Sequence, residues 1–198
     1  MQIYYTAPDY GFKETPNSKL FMAGGITGCP DWQAELSPKL VEHSLSLREP
    51  YLVLNPRREE WPDNRPEVVN QIKWEHQALK ASEVILFWFP KETLCPITLF
   101  ELGRWSYQSG KKVLVGSDPD YARREDLDIQ LSLLETPVTV VDTLAQLYDQ
   151  VVQEISTDLL EQGFCSGCNE KVDFKWSSKQ FWNCTKCGCL VEAGPFND

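Results

Sequence analysis

Between residues 18 and 162 the hydrophobic positions fall into short continuous runs separated by stretches with helical spacing. Leu20-Phe21-Met22-Ala23, Tyr51-Leu52-Val53-Leu54, Val84-Ile85-Leu86-Phe87-Trp88-Phe89, Val113-Leu114-Val115 and Val138-Thr139-Val140-Val141 read as five strands. Runs without polar alternation mark strands covered on both faces. Helices are predicted from Trp32 to Leu45 with Asp31 as N-cap, over 67–81 behind Pro66, and from Pro96 to Ser109 with Gly110 as the stop. A last helix is predicted from Leu144 to Gln162, carried by Leu144, Leu147, Val151, Ile155 and Leu159. Alternating strands and helices indicate an α/β fold, a doubly wound five-stranded parallel sheet of the flavodoxin-like or Rossmann-like kind. Ile3-Tyr4-Tyr5 either adds an edge strand or lies on the surface.

The pattern changes near Gly163, which divides the chain into a domain of residues 1–162 and a tail of residues 163–198. In the tail, Cys165-x-x-Cys168 and Cys184-x-x-Cys187 are separated by fifteen residues, the spacing of a four-cysteine zinc ribbon. Each pair brings two thiolates to one tetrahedral ion, and the hairpin between them joins the pairs. So short a segment buries too little apolar surface to fold unaided, and metal binding supplies what is missing. Structural zinc is therefore the expected cofactor, with Cys189 as a spare sulfur able to replace Cys187. Disulfides are disfavoured without an export signal, and a redox motif needs only one pair. Phe174, Trp176, Phe181 and Trp182 could stack on bases, although in so small a module such aromatics usually form its core or a docking surface.

Composition narrows the partners. The formal net charge is −10, and the tail is neutral (Lys171, Lys175, Lys179 and Lys186 against Glu170, Asp173, Glu192 and Asp198), so the excess lies in residues 1–162. This argues against nucleic acid, which requires clustered cations, but not against a small anionic substrate. The longest apolar run, 84–90, is far too short for a membrane span, and the N-terminal residues lack a signal-peptide pattern. A cytoplasmic protein without a membrane partner is the expectation.

Ligands of open parallel sheets bind at the carboxyl ends of the strands. Four loops leave those ends, 24–31, 55–61, 90–96 and 116–124. The first holds Gly24, Gly25 and Gly28, which permit close approach of a ligand. The second holds Asn55-Pro56-Arg57-Arg58, with two cations on a rigid turn. The third leads into Thr98-Leu99-Phe100-Glu101-Leu102-Gly103-Arg104. Glu101, early in a helix and among apolar residues, is expected to remain ionised, as a nucleophile at a sugar carbon must. The alternative is an ion pair with Arg104 at i+3. Glu75, in Gln71-Ile72-Lys73-Trp74-Glu75-His76, is a candidate general acid for a departing base, or else a surface glutamate. His76 is read as packing or facing solvent.

These segments, together with Phe21-Met22-Ala23-Gly24-Gly25-Ile26, resemble the nucleoside 2-deoxyribosyltransferase-like family in order and spacing over about residues 18–134. The resemblance implies that Glu101 attacks C1′ of a bound nucleoside, that Glu75 is the acid near the base, and that Gly24, Gly25 and Ile26 line the pocket beside Phe21 and Thr98. It further implies a doubly wound sheet and a homo-oligomer whose neighbouring subunit helps to close the site. The expected activity is transfer of a (deoxy)ribosyl group to another base or to water through a covalent glutamyl-sugar intermediate. The alternative is a non-catalytic nucleotide-binding or sensing module whose ribbon contacts a partner. The sequence departs from the founding enzymes in three places. Thr93-Leu94-Cys95-Pro96 stands where they carry acids, Phe21 where a Tyr is frequent, and the zinc tail has no counterpart. A phosphate on the substrate would fall to Arg57, Arg58, Arg123 and Arg124.

Overall fold

The computed structural model describes residues 2–47, 49–60, 63–157, 160–165, 167–176 and 182–191. Leu159, Trp61 and Phe181, which enter the readings above, lie outside them. The chain forms two compact units, Met1–Val151 and Val152–Asp198.

The first unit is an α/β domain. Its elements are β1 (Tyr4–Thr6), β2 (Lys19–Gly24), α1 (Trp32–Ser46), β3 (Leu52–Asn55), α2 (Arg65–Ala81), β4 (Val84–Phe89), α3 (Pro96–Trp105), β5 (Lys112–Ser117), α4 (Arg124–Ser132) and β6 (Val140–Val141), and α5 (Leu144–Thr157) begins in it. The sheet order is β1-β3-β2-β4-β5-β6, parallel throughout. It therefore has six strands rather than the expected five. The sixth is β1, which pairs Tyr4, Tyr5 and Thr6 with Val53, Leu54 and Asn55 at one edge. Every residue of β4 is buried, as its unbroken apolar run requires for a strand with neighbours on both sides and cover on both faces.

Caps and prolines fix the helices locally. Asp31 accepts a hydrogen bond from the Ala34 amide at 3.0 Å and opens α1. Asn64 accepts from the Glu67 amide at 3.1 Å, starting α2 two residues before the predicted position. Pro96 stands first in α3, where its missing N–H costs nothing. Cys95, just before it, adopts the left-handed conformation (φ 48°), an uncommon backbone for a non-glycine residue. Among the described residues no helix is long and apolar enough to cross a membrane.

The predicted helix to Gln162 is corrected. α5 ends at Thr157, two residues after the last member of the buried stripe Leu147, Val151 and Ile155. The second unit then begins its own sheet at Leu160. That sheet is four-stranded and antiparallel, ordered β10-β9-β8-β7, with β7 (Leu160–Cys165), β8 (Glu170–Trp176), β9 (Trp182–Cys184) and β10 (Leu190–Val191). Pairing of Leu160 with Lys175 through to Cys165 with Glu170 recruits residues that the helical pattern had claimed.

In the first unit the connection from β2 through α1 runs to β3 on one side, whereas that from β4 through α3 runs to β5 on the other. The loops after β2 and β4 consequently diverge, and a crevice opens between the carboxyl ends of these neighbouring strands.

Candidate active site and metal centre

That crevice holds a cavity of about 820 Å³, within the range of small-molecule sites. It is lined by residues 24–27 after β2, by one face of α2, and by the loop and helix that follow β4. Of the predicted site residues, Phe21, Gly24, Gly25, Ile26, Glu75, Thr98 and Glu101 all border it.

The glycine loop lies too close to its neighbours for side chains. A Cβ on Gly25 would lie 2.7 Å from Pro90 Cγ and 2.9 Å from Cys95 Sγ, and one on Gly24 would lie 2.5 Å from the Trp88 carbonyl. Trp32 Nε1 donates to the Gly25 carbonyl at 2.8 Å. Arg57 completes the clamp. Its Nη2 donates to the carbonyls of Ile26 at 3.1 Å and Pro30 at 3.3 Å, while its Nε reaches Gln33 Oε1 at 2.9 Å and pairs with Asp31 Oδ1 at 3.1 Å.

Arg57 therefore holds the cavity wall from behind and does not line the cavity. Asn55 bridges Tyr4 and the Arg57 amide, and Arg58 pairs with Glu67 at 3.7 Å. All three border a separate, smaller cavity instead. Arg123 pairs with Asp126, and Arg124 with Asp128 and Asp142. The four arginines read as phosphate holders are thus committed elsewhere. Arg57→Ala is expected to loosen the glycine loop, lowering stability by about 1–3 kcal/mol and raising substrate KM severalfold. Arg57→Lys should not rescue it, because an ammonium lacks the guanidinium fork. Urea unfolding and steady-state kinetics check both.

Glu75 and Glu101 approach the cavity from different helices. Glu75 Oε1 accepts from Gln71 Nε2 at 2.8 Å, and the same nitrogen donates to the Pro56 carbonyl at 2.8 Å. Burial raises the Glu75 carboxyl above its ordinary range, and the Gln71 bond opposes that rise. Glu101 has no ion pair or side-chain hydrogen bond among the described residues. Burial, then the charge of Glu75, pushes it up to about 8. The helix end does not offset this rise, because Glu101 is the sixth residue of α3, beyond the first turn where the dipole acts. Arg104 does not pair with it, and its guanidinium lies 5.1 Å from the centroid of the Trp105 ring. Gln71 was missed as a site residue, although its i,i+4 spacing to Glu75 signals a shared helix face.

Residues 17–121 match the family described as nucleoside 2-deoxyribosyltransferase like. The chain belongs to the nucleoside 2-deoxyribosyltransferase-like family. The matched span contains every residue bordering the large cavity, and membership assigns a nucleoside-related transferase role. No curated protein matches the chain.

The cysteines of the second unit lie outside the span matched to the nucleoside 2-deoxyribosyltransferase-like family. The sulfurs of Cys165, Cys184, Cys187 and Cys189 all lie within 4.8 Å of one another, so the group could hold a metal ion. Cys168 Sγ is 3.7 Å from Cys184 Sγ, and Cys165 Sγ is 3.7 Å from Cys187 Sγ. A tetrahedron with bonds of about 2.3 Å has sulfur–sulfur edges of about 3.8 Å, so both separations suit one ion. Cys189 Sγ is 3.0 Å from Cys165 Sγ and 3.3 Å from Cys187 Sγ, too close for all three to be ligands at ideal edges. The turns are preformed: the Asn169 amide donates to the Cys165 carbonyl at 2.7 Å, and the Gly188 amide to the Cys184 carbonyl at 2.9 Å.

Proposed function

We propose that the protein cleaves the N-glycosidic bond of a nucleoside or nucleotide and passes the (deoxy)ribosyl group to a second base or to water. One observation carries this reading. Two carboxylates, neither with a cationic partner among the described residues, border a single cavity at the switch point of the sheet, and among those residues only Glu75 is held by a hydrogen bond.

Two such groups share protons as a pair. Below about pH 8 the pair keeps one proton, which burial favours on Glu101, and the competent state is the one in which that proton has passed to Glu75 and Glu101 is the carboxylate. Glu101 forms a bond to C1′ as the bond from C1′ to the base nitrogen breaks. The electrons of that bond leave with the base, and Glu75 supplies its proton. In the second half, Glu75 accepts a proton from the incoming base or water, which attacks C1′ and releases Glu101. Phe21, Gly24, Gly25, Ile26 and Thr98 would enclose the substrate. Exposed Ile72, Ile97 and Phe100 at the cavity mouth support closure by a second copy of the chain. Zinc on Cys165, Cys168, Cys184 and Cys187 would serve structure.

The experiment is mass-spectrometric product analysis with mixed nucleosides and nucleoside monophosphates, with and without a foreign base. Exchanged nucleosides establish transfer, and free base with free sugar establishes hydrolysis. Neither product from a folded protein would overturn the reading. Because one proton is required, kcat/KM should be bell-shaped in pH, with its alkaline limb near 8, where the pair loses that proton. A rate still rising through pH 9 would contradict the scheme.

A further inference from the structure

On α2, Gln71 and Glu75 stand at i,i+4, one turn apart on the face that borders the cavity. Gln71 is only 2% exposed, so its amide has to find partners inside the protein. The nitrogen reaches two of them, the Pro56 carbonyl and Glu75 Oε1, each at 2.8 Å. The first partner decides which way the amide lies. A proline carbonyl only accepts, so the nitrogen faces it and the amide cannot turn over. This orientation is kept although the amide oxygen is buried with no partner among the described residues. Pro56 is itself buried and directly follows the last residue of β3, so the anchor belongs to the sheet.

We infer that Gln71 is a positioning residue that reserves one oxygen of Glu75, Oε2, for the proton exchanged with the substrate. This rests on the glycosidic-bond reading above and adds to it the group that aims the acid. With Oε1 accepting the amide N–H, the proton of a protonated Glu75 settles on Oε2, because the carbonyl oxygen of a carboxylic acid is the better acceptor. Oε2 then gives the proton to the leaving base and recovers it from the incoming base or water. A freely turning carboxyl would present either oxygen, and a misplaced donor costs rate. The Gln71 bond also opposes the rise that burial gives Glu75, so it helps to keep the resting proton on Glu101. The other titratable or charged groups bordering the cavity are Glu101 and Arg104 on α3, Cys95 before it, and Lys73 and His76 on α2. None of them bonds to Glu75 among the described residues, and Gln71 is what fixes its carboxyl.

The test uses Gln71→Met, which keeps the length of the side chain and removes the amide, alone and combined with Glu75→Gln. For Gln71→Met, kcat/KM is expected to fall by about 10- to 100-fold. The alkaline limb, near 8 in wild type, should move to higher pH, because a carboxylate that loses a donor holds its proton longer. In the Glu75→Gln background the same substitution should change kcat/KM by no more than about twofold, since a residue acting through Glu75 has nothing left to aim. Equal losses in both backgrounds, or an alkaline limb that does not move, would overturn the assignment and make Gln71 a packing residue. Gln71→Asn, one methylene too short for both partners, should repeat each result and serves if Gln71→Met does not fold. NMR titration of isotope-labelled glutamate carboxyls, with Glu75 identified by its loss in Glu75→Gln, gives a readout independent of turnover. If wild type turns over no nucleoside, the glycosidic reading fails by itself, and this titration decides the role of Gln71 separately. A Glu75 carboxyl that titrates at higher pH in Gln71→Met upholds the tie, and one that titrates unchanged ends it.

Discussion

Glu101→Gln should abolish turnover and at the same time make the protein harder to unfold. In the proposed mechanism Glu101 forms the bond to C1′, and an amide of the same shape cannot; kcat should fall by about 10³-fold or more. The stability gain follows from the folded-state value of about 8 against an ordinary 4.5. A carboxyl raised in this way contributes stability that is fully present below pH 4.5 and is lost as pH rises through about 8. Glutamine is neutral throughout. The variant should therefore match wild type near pH 4 and exceed it increasingly towards pH 8.5, by roughly 1–3 kcal/mol, about the cost of a buried polar group left unpaired. Denaturant unfolding at both pH values checks the sign and activity checks the role. A variant no more stable at pH 8.5 would mean that Glu101 bears no such strain, and one that still turns over would move the nucleophile elsewhere.

Replacing Cys184 by Ser should cost the protein its metal and the fold of the second unit, while chemistry in the first unit persists. Val152–Asp198 is a short segment whose described strands leave little room for an apolar core. Metal binding of about 10–16 kcal/mol, as in zinc-finger peptides, is large enough to decide whether such a module folds. Metal content should fall from one ion per chain to none, and limited proteolysis should then remove the C-terminal segment. Every group assigned to the reaction lies in Met1–Val151, so turnover by the remaining domain is expected. Cys168→Ser should behave like Cys184→Ser, whereas Cys189→Ser should retain the ion. The reverse pattern would assign the site to Cys165, Cys184, Cys187 and Cys189, whose sulfurs also converge.

Elements whose sequence faces one kind of environment were legible in advance. β4 is apolar throughout because it is covered on both sides, Asp31 and Pro96 mark helix starts by local chemistry, and the CxxC pairs must meet if they bind one ion. β1 was ambiguous because it is only three residues long, with Tyr5 buried between half-buried Tyr4 and Thr6, too short for a pattern to register. α4 was missed although Leu127 and Leu131 are buried at i,i+4, because acids and a glutamine surround them. The junction of α5 and β7 was misplaced because long-range strand pairing overrides helical spacing. Glu75 and Glu101 were singled out through their surroundings and the resemblance, and both border the cavity. The role of Arg57 was hidden because its partners are backbone carbonyls far away in sequence, and the upward shift of Glu101 because it depends on burial and on a charge from another helix.

The outermost strands of the large sheet are its shortest, three residues in β1 and two in β6. Such brief borders offer little free ladder for a foreign strand to template on, a familiar safeguard against edge-to-edge aggregation. Copies of this domain that assemble would accordingly meet through helical faces and loops, and their sheets would stay separate rather than fuse into a continuous ribbon.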